Sequence, residues 1–434
     1  MSILCADIGT SSLKTALVNI QGQVLCEARI SFPKIEFNQE GLCASDFGDN
    51  PCCLPKLFSG DHWFSALQEA SHKLQQQQPE EQIEGICISG NGPTLATTAG
   101  EVFLWNHPVA PALSQEIQGE LASHHLFSIF LPRLLAFKKL FPAEWNKSDK
   151  IISGPEYLIW RLTGRFLTIL PEKRYEPAYW NKEALEKLGI EDCKLPDFVE
   201  PGTKAGILLP DIAEKLGLSP QTLVFCGGPD FMVALIGTNT LKPGKLCDRA
   251  GSSEGINLCL DKNPSEALQK AGIQGIRVLP SVIPGLFNAS VLLPDSGTRF
   301  SKVKKATAPH LSYQDFVEAL LQNPPLSTAG FQLMEELAME VKAAYEKLSA
   351  TAALTGTKID STICTTGGQA KNPAWLQYKS RVVQAAFSIT ACADAELVGN
   401  AVLAYWGLGK FSSIQEGAQA LVHLSHVFTP KESI

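Results

Sequence analysis

The chain has 434 residues and a formal net charge of −7, with 45% hydrophobic and 19% charged residues. This composition is typical of a globular protein, and the length allows two large domains with substantial cores. A mildly acidic chain without basic blocks is poorly suited to bind nucleic acid or an anionic membrane, so we expect neither as a partner. A small anionic ligand would need only local donors.

Twelve cysteines are spread through both halves of the chain, and many fall on predicted apolar strands. This pattern is typical of reduced, buried cysteines in a cytosolic protein. Cys43 and the adjacent Cys52 and Cys53 form no Cys-x-x-Cys pair with a matching histidine pair, so we expect no zinc site. Met1 leads directly into a predicted strand, which leaves no room for a secretion signal, and no apolar run reaches membrane-spanning length. We therefore expect a soluble, cytoplasmic protein.

The N-terminus has the pattern of a β-hairpin. Apolar runs at residues 3–8 and 13–20 flank a Gly-Thr-Ser-Ser turn. The tip carries a glycine, three hydroxyl residues and two charged residues, namely Gly9, Thr10, Ser11, Ser12, Asp7 and Lys14. Glycine lets a ligand approach the backbone, and clustered donors suit phosphate oxygens. A carboxylate beside a phosphate needs a divalent cation, so Asp7 predicts Mg²⁺, held mostly through water. The alternative is an ordinary hairpin with a polar tip.

Polar turns follow two of the next predicted strands. A third strand at residues 23–32 comes directly after the hairpin, and the apolar strand Gly85–Gly90 then runs into Asn91, Gly92, Pro93 and Thr94. A further strand, Val102–Trp105, ends at Asn106 and His107. In an α/β fold, ligands bind at such strand ends, although loop chemistry alone would also account for these residues.

Helix signals fill much of residues 110–189. A helix is predicted from Gly154 to Thr163, because proline lies just inside its start and Gly164 just past its end. Asn181 is predicted to cap a short helix that ends near Gly189.

A second informative stretch begins at Thr222. A strand runs through Gly227 and Gly228 into a predicted helix whose first turn contains Asp230. The helix N-terminus stabilises a carboxylate there as the anion, and the glycines allow something to approach the backbone closely. These features favour a functional acid, and the alternative is a simple helix cap.

The second half repeats the hairpin design. Apolar strands at residues 245–250 and 256–259 flank a tip that contains Gly251, Ser252 and Ser253, without an equivalent of Asp7. One such hairpin in each half predicts duplicated domains that face each other across a phosphate.

A glycine turn and a helix start follow near the C-terminus. A strand ends at the glycine turn Gly367–Lys371, after which Asn372 is predicted to cap a helix that Pro373 starts. This arrangement can cradle an anion or a nucleotide, and the alternative is a well-formed strand–helix turn. A last predicted helix, residues 395–405, contains Asn400.

The nucleotide motifs of two large enzyme classes are missing. No Gly-x-Gly-x-x-Gly follows the first strand, and Gly-x-x-x-x-Gly-Lys-Ser/Thr is absent, which disfavours a Rossmann dehydrogenase and a P-loop enzyme. Taken in order, the segments instead resemble the FGGY carbohydrate kinases, within the superfamily of sugar kinases, actin and heat-shock ATPases. The resemblance runs nearly end to end. Its five motifs are Asp7–Lys14 (first phosphate motif), Pro155–Gly164 (a helix of the N-terminal domain), Gly227–Asp230 (catalytic aspartate), Gly251–Ser253 (second phosphate motif) and Gly367–Asn372 (adenosine motif).

The resemblance implies an α/β fold with two actin-like, ribonuclease H-like domains, residues 1–238 and 239–434, and a nucleotide and sugar cleft between them. It implies phosphoryl transfer from ATP, with Mg²⁺, to a hydroxyl of a sugar or polyol. Asp230 would take the proton from that hydroxyl, and Asp7 would organise the metal. The implied nucleotide-binding residues are Gly9, Thr10, Ser11, Ser12, Lys14, Gly251, Ser252 and Ser253 near the phosphates, and Gly367, Gly368, Gln369 and Asn400 near the adenosine.

Two positions depart from the family pattern. Many relatives, xylulose kinases among them, have Gln-Met-His-Gly for sugar contact where this chain has Asn91–Thr94. They have Asn or Gln after the catalytic aspartate, where this chain has Phe231. A site built for hydroxyls discriminates through matched hydrogen bonds, so the usual ketopentose is not assumed. The predicted substrate residues are Asn91, Gly92, Pro93, Thr94, Trp105, Asp230 and Phe231.

Two rival functions stay open from the sequence. The altered sugar positions would suit a non-catalytic nucleotide-binding relative that acts as a sensor or scaffold, although the intact Asp7 and Asp230 oppose this. An ATPase of the actin or heat-shock type is disfavoured because Asp230 occupies the position where a hydroxyl donor needs a base. The substrate, the hydroxyl that is phosphorylated and the oligomeric state, including a homodimer, are left open.

Overall fold

A computed structural model of the protein describes residues 1–33 and 56–431. Cys43, Cys52 and Cys53, for which the sequence predicts no zinc site, lie outside these ranges. The described residues form two compact units. The first comprises Met1–Ile20, Val24–Asp230 and Leu403–Lys410, and the second comprises Gln21–Gln23, Phe231–Val402 and the chain from Phe411 onwards. The predicted domain boundary after residue 238 stays a prediction.

The first unit contains twelve strands and seven complete helices in its described part, together with the first residue of one further helix and the last turn of another. Its strands are β1 (Ser2–Ile8), β2 (Ser12–Asn19), β3 (Val24–Ser31), β4 (Phe58–Ser59), β5 (Ile83–Gly90), β6 (Leu95–Thr97), β7 (Glu101–Phe103), β8 (Ile151–Ser153), β9 (Thr168–Ile169), β10 (Phe198–Val199), β11 (Lys204–Ile207) and β12 (Leu223–Pro229). Its helices are α1 (Asp61–Gln77), α2 (Pro111–Ser123), α3 (Leu131–Leu140), α4 (Pro142–Lys147), α5 (Gly154–Thr163), α6 (Lys182–Lys187) and α7 (Pro210–Leu216), with short 3₁₀ turns at Lys173–Ala178 and Asp192–Lys194.

The second unit has strands β13 (Leu246–Ala250), β14 (Glu254–Leu260), β15 (Arg277–Pro280), β16 (Phe287–Leu293), β17 (Thr362–Thr366), β18 (Ala386–Thr390) and β19 (Leu424–Phe428). Its helices are α8 (Asp230–Gly237), which begins with the last residue of the first unit, α9 (Ser265–Ala271), α10 (Ser296–Thr307), α11 (Tyr313–Leu320), α12 (Thr328–Thr355), α13 (Pro373–Val383), α14 (Ala395–Gly407), whose last turn belongs to the first unit, and α15 (Ile414–Leu421). A 3₁₀ turn spans Gly368–Lys371.

Each unit is built around one mixed sheet. The strand order is β11-β12-β5-β1-β2-β3 in the first unit and β15-β16-β14-β13-β17-β18-β19 in the second. In the first sheet β1 is parallel to β5 and β5 to β12, whereas β1, β2 and β3 form an antiparallel meander. In the second, β13, β17 and β18 are parallel, and β13, β14 and β16 are antiparallel neighbours. The two sheets therefore share one order of five central strands, which confirms the predicted repeat of the hairpin design and the α/β class.

The apolar runs of the sequence become strands whose central members, such as β1 and β5, are covered on both faces. All seven residues of β1 are buried, as expected for a strand with parallel pairing and helices on each side. In the first unit, Leu4, Leu13 and Ile86 pack with Trp63 and Leu67 of α1 in one core. In the second unit, a corresponding core joins residues of the sheet to α12 and α13.

The cysteines behave as the sequence predicts. The nine in the described ranges are free thiols, and seven of them are buried. Burial raises the pKa of Cys364 to about 11 and that of Cys259 to about 12, so both stay protonated and unreactive at neutral pH.

In the part of the chain described by the structure, no helix is both long and apolar enough to cross a membrane.

Helix α5 begins and ends where the sequence predicts, with Pro155 in its first turn and Gly164 after its end. Its Glu156 is buried, and one carboxylate oxygen accepts a hydrogen bond from the Ile169 amide at 2.8 Å. The other accepts one from the Ser153 hydroxyl. Burial raises the pKa of Glu156 from 4.5 to about 7, because the charged form loses its hydration.

This raised pKa predicts a pH-dependent loss of stability. The folded protein keeps a proton on Glu156 that the unfolded chain releases above pH 4.5, so the stabilising contribution is complete below pH 4.5 and lost as the pH rises through 7. Across that window the free energy of unfolding should fall by up to about 3 kcal/mol more in the wild type than in Glu156→Gln, which cannot titrate. Urea denaturation of both proteins between pH 4.5 and 8 measures the difference. If the free energy of unfolding changed equally with pH in the two proteins, Glu156 would already be ionised at low pH, contrary to this prediction.

Candidate active site

Both predicted acids lie at one edge of the first sheet. Asp7, near the end of β1, is in register with Ser89 of β5, and Ser89 is in register with Gly228 of β12. Asp230 comes two residues after Gly228. Because β1 and β12 flank β5, and neighbouring strands lie about 4.8 Å apart, the backbone positions of Asp7 and Gly228 are about 10 Å apart across the sheet, and Asp230 lies just beyond. This edge is where the carboxyl ends of three parallel strands meet.

Asp7 is a buried carboxylate with charge compensation. Its exposed fraction is 2%. Oδ1 accepts a hydrogen bond from the Ser89 hydroxyl at 2.9 Å, and Oδ2 lies 3.3 Å from the Lys14 ammonium, which belongs to the residue opposite Asp7 in the hairpin. A buried charge needs such partners to remain ionised.

This donor set suits Mg²⁺ only if a substrate completes the coordination. Within the described residues, no group of three or more His, Cys, Asp or Glu side chains could hold a metal ion. Mg²⁺ in nucleotide sites is commonly bound by one or two carboxylates, with phosphates and water as the other ligands. Asp7 therefore fits a metal shared with a phosphate and not a closed protein site.

A β-bulge lies directly before Asp230. The register between β12 and β5 shifts between Cys226 and Gly228, so Gly227 is the extra residue. Gly228 has φ +153°, a conformation that side-chain-bearing residues rarely adopt. Bulges bend a strand and so change the direction in which the chain leaves it. Asp230 then opens α8, half-buried and in its first turn, as the sequence predicts, with the half-buried Phe231 next to it.

A chain of hydrogen bonds joins the first hairpin tip to the predicted sugar loop. The Trp105 indole N–H donates to the Thr10 hydroxyl at 3.3 Å, and the Trp105 amide donates to the Thr94 hydroxyl at 3.1 Å. Thr94 in turn donates to Asn91 Oδ1 at 2.9 Å. The structure thus brings together residues predicted to contact phosphate and residues predicted to contact substrate.

The sugar loop offers one unused donor. Asn91 is 9% exposed, and its amide nitrogen Nδ2 is buried without a hydrogen-bond partner in the described chain. Its backbone N–H continues the sheet by donating to the Ile8 carbonyl at 3.0 Å. The following Gly92–Pro93 peptide bond is cis. A buried donor without a partner is costly, so this atom is suited to bind a ligand oxygen.

Arg133 of α3 is a residue that the sequence motifs do not reveal. Its guanidinium lies 3.9 Å from the centre of the Phe103 ring and donates to the carbonyl of His107 at 3.1 Å and to that of Leu104. Burial lowers the pKa of Arg133 to about 10. These contacts hold the segment that carries Trp105. The only signal in the sequence is a single arginine among the apolar residues of α3.

The second hairpin tip is held by a neighbouring helix. The Gly251 amide donates to the Ser253 carbonyl at 2.9 Å, and the Thr298 amide at the start of α10 donates to the Ser252 carbonyl at 3.0 Å. A Cβ added at Gly297 would lie 2.0 Å from the Gly251 carbonyl oxygen, so only glycine fits there. This anchoring by α10 is not apparent from the sequence.

In the second hairpin, Arg249 pairs with Gly255, one pair before the tip. In the first hairpin, the pair at this position is Asp7 with Lys14, so Arg249 corresponds to Asp7. The predicted lack of an Asp7 equivalent in the second hairpin is therefore confirmed.

The predicted adenosine turn packs against the base of this second hairpin. Gly367 has φ +92°, and a Cβ there would lie 2.8 Å from the Ala250 carbonyl oxygen. Its amide donates to the Ala393 carbonyl at 2.8 Å, just before α14 begins. Gly368 and Gln369 start the 3₁₀ turn that comes next. Asn400 lies fully buried on α14, within the second unit.

The side chain of Gln369 is occupied by protein contacts. Its amide nitrogen donates to Glu254 at 3.1 Å, and its oxygen accepts from the Trp375 indole at 2.6 Å. Asn372 caps α13, as predicted, by accepting from the Trp375 amide at 3.1 Å.

Helices α8 and α14 pack backbone to backbone through two glycines. A Cβ at Gly399 would lie 2.1 Å from the Val233 carbonyl oxygen, and one at Gly237 would lie 1.8 Å from that of Ala395. Neither contact can relax by rotating a flexible side chain. The glycines therefore fix the helix that begins at Asp230 against the helix that carries Asn400.

Replacing Gly399 should separate these helices and destabilise the protein. We expect Gly399→Ala to lower the free energy of unfolding by about 2–3 kcal/mol, because overpacking forces backbone shifts. Gly119→Ala is the matched control: Gly119 is also inside a helix, but an added Cβ would meet nothing within 4 Å. That change should be neutral or stabilise by up to about 1 kcal/mol, the difference in helix propensity. Chemical denaturation compares the two, and equal stabilities would contradict the tight packing.

The repeated sheet order, with a hydroxyl-rich hairpin tip in each unit, places the chain in the class of two-domain, actin-like α/β proteins. Profiles of the FGGY family of carbohydrate kinases match residues 2–237 (N-terminal domain) and 322–408 (C-terminal domain). The chain belongs to the FGGY family of carbohydrate kinases.

Relatives of known activity cover almost the whole chain. The xylulose kinase of Bacillus subtilis (strain 168) is 24% identical over 99% of this chain and 93% of its own length. The gluconokinase of Bacillus licheniformis is 20% identical over 99% and 92%.

Solved structures share the fold over a similar span. A ligand-bound xylulose kinase from Lactobacillus acidophilus has a TM-score of 0.77 at 18% identity and covers 99% of this chain and 94% of that one. Plasmodium falciparum glycerol kinase with ADP has a TM-score of 0.75 at 14% identity, with the same coverage. The predicted family, fold class and enzyme class, a carbohydrate kinase, are thus confirmed, and the family implies ATP as a substrate.

Proposed function

We propose that the protein transfers the terminal phosphoryl group of ATP to a hydroxyl of a sugar or polyol, with Asp230 as general base and Asp7 as the residue that organises Mg²⁺. The observation that carries this proposal is that β1, which carries Asp7, and β12, which leads directly into Asp230, flank β5 with their carboxyl ends at one edge of the first sheet. Phosphoryl transfer depends on positioning and charge neutralisation more than on covalent chemistry by the protein.

The two acids are suited to different roles. Asp230 is half-buried at the start of a helix, whose N-terminus favours the ionised form that a base requires. Asp7 is buried and held by Lys14 and Ser89, so its carboxylate has a fixed position from which it can organise a metal. When bound, Mg²⁺ would neutralise phosphate charge, and Asp7 would hold it through water.

The two hairpin tips and the glycine turn are proposed to bind ATP. Thr10 and Ser11 of the first tip are exposed hydroxyl residues, as are Ser252 and Ser253 of the second. Backbone donors and hydroxyls at such tips suit phosphate oxygens. We assign Gly9, Ser12, Lys14 and Gly251 to the same phosphate contacts, and Gly367, Gly368, Gln369 and Asn400 to the adenosine. The side chain of Gln369 is occupied, so its contact would come from the backbone.

The substrate is proposed to bind at Asn91, Gly92, Pro93, Thr94, Trp105 and Phe231, next to Asp230. The unpartnered Nδ2 of Asn91 supports this, because it could donate to a substrate hydroxyl. Trp105 is 44% exposed although its indole N–H is bonded to Thr10, so its ring can cover an apolar face of a substrate. Xylulose kinase and gluconokinase are among the relatives, so ketoses, aldonates and polyols form the first test panel.

Loss of the proposed base should stop turnover and spare nucleotide binding. We expect Asp230→Asn to lower kcat about 10²–10⁴-fold, the usual contribution of general base catalysis, with ATP affinity changed less than about twofold. An ADP-release assay over the substrate panel measures turnover, and calorimetry measures ATP binding. The control is Asp211→Asn, since Asp211 also lies in the first turn of a helix, α7, but is exposed.

Three outcomes of this assay would contradict the proposal. Retained turnover in Asp230→Asn would exclude Asp230 as the base. Tight ATP binding by the wild type without turnover on any sugar or polyol would favour a nucleotide sensor. Fast hydrolysis that no sugar stimulates would favour an ATPase.

Removing the carboxylate charge of Asp7 should weaken the binding of Mg²⁺ during turnover. We expect Asp7→Asn to raise the Mg²⁺ concentration for half-maximal ADP release at least about tenfold, because one carboxylate is the protein's main contribution to the ion. The assay is a Mg²⁺ titration at saturating ATP, with Asp211→Asn again as control. An unchanged Mg²⁺ dependence would contradict the assignment of Asp7 to the metal.

A further inference from the structure

Three ionisable side chains meet in the interior of the second unit. Lys379 of α13, Asp248 of β13 and Glu254 of β14 have side-chain exposures of 0%, 0% and 1%. The Lys379 ammonium lies 2.9 Å from Asp248 Oδ2 and also donates to Glu254 Oε1. We call these three residues the buried triad.

Burying the three ionisable side chains of the triad in a core is energetically costly. Desolvating ions costs several kcal/mol each, and well-packed apolar residues often stabilise a protein as much or more. Two acids also share one base: burial, together with the charge of Glu254, raises the pKa of Asp248 to about 8. Burial alone would lower the pKa of Lys379, but attraction to both acids raises it. The triad is therefore not explained by a gain in stability, so we consider which segments its position in the fold connects.

The triad lies at the base of the second hairpin tip. Glu254 pairs directly with Ala250, and these two residues flank the tip Gly251–Ser253. Asp248 lies two residues before Ala250 on the same strand. The Lys379 ammonium therefore contacts both β13 and β14 near the point where the tip leaves the sheet.

The same network reaches the glycine turn. The second oxygen of Glu254 accepts from Gln369 at 3.1 Å, and Gln369 accepts from the Trp375 indole at 2.6 Å. Trp375 and Lys379 lie one turn apart on α13, so the bonds close a ring from α13 through the hairpin and the turn back to α13. The backbone contact of Gly367 with Ala250 lies beside this ring.

We propose that Glu254 and Lys379 are positioning residues that hold the second hairpin tip and the Gly367–Gln369 turn in one fixed arrangement, so that both bind the nucleotide together. The inference rests on the proposed assignment of these two segments to ATP. It extends that proposal to residues that need not touch ATP, and it assigns them no role toward the sugar.

Glu254→Gln tests this with little change of shape. Glu254 accepts bonds from Lys379 and from Gln369 on different oxygens, and an amide has only one oxygen. One of the two bonds must be lost, whereas the contact between Lys379 and Asp248 is kept. We expect KM for ATP to rise about tenfold, a typical size for coupling between sites, with kcat and KM for the sugar within about twofold of the wild type.

Trp375→Phe is a second variant that leaves all three residues of the buried triad in place. It removes the indole donor to Gln369 and one ring of a side chain that stacks on Phe300 and Tyr378. It keeps an aromatic ring at the position and buries no new polar group, so it should fold even if Glu254→Gln does not. KM for ATP should rise in the same direction. The control is Lys245→Met, which breaks an ion pair with Asp360 just before β13 but leaves the tip alone, since Lys245 is 48% exposed. It should leave both KM values unchanged.

The kinetics are measured together with calorimetric ATP binding and thermal melting of each variant. The inference is overturned if folded Trp375→Phe, and Glu254→Gln where it folds, bind ATP as the wild type does. It is also overturned if KM for the sugar rises as much as KM for ATP, since that marks a general structural role. A wild type that binds no ATP would instead refute the proposed function itself.

Discussion

The parallel pairing of β5 with β1 on one side and β12 on the other is the constraint on which the site depends. It aligns the carboxyl ends of three strands at one edge of the first sheet, and this alignment sets the positions of both acids. Because side chains alternate along a strand, a slip of one residue in the pairing of β1 with β5 would turn Asp7 to the other face of the sheet, and a slip of β12 would displace the start of α8 and with it Asp230. The buried apolar residues of β1 and β5 fix the register, and the bulge at Gly227 adjusts only the strand that leads to Asp230.

The second unit uses the same strand order for a different task. Its hairpin repeats the glycine and hydroxyl tip, but Arg249 lies at the position that corresponds to Asp7. The acidic residues of this hairpin, Asp248 and Glu254, are buried in the triad with Lys379. An acid is thus present at this position in only one of the two similar hairpins. The second hairpin is instead anchored at its base by α13 and at its tip by α10.

Local signals in the sequence were sufficient for the hairpins, the caps of α5 and α13, and the place of Asp230 in the first turn of α8. Each of these depends on residues that are neighbours in the chain. The sequence could not reveal the bulge at Gly227, the hold of Arg133 on the Trp105 segment, or the contact of Gly297 with the second tip. These features arise where segments distant in the chain meet, and a lone arginine or glycine in a sequence is compatible with many structural roles. The buried triad is similar, because its lysine looks like an ordinary surface residue of a helix.

A crystal structure with Mg²⁺, a non-hydrolysable ATP analogue and the best substrate from the panel is the most direct test of two acids acting on one phosphoryl group. We expect a metal bound to the terminal phosphates with Asp7 in contact directly or through one water, and the acceptor hydroxyl about 3 Å from Asp230. A nucleotide bound away from the Asp7 edge of the first sheet, or an acceptor hydroxyl out of reach of Asp230, would contradict this mechanism.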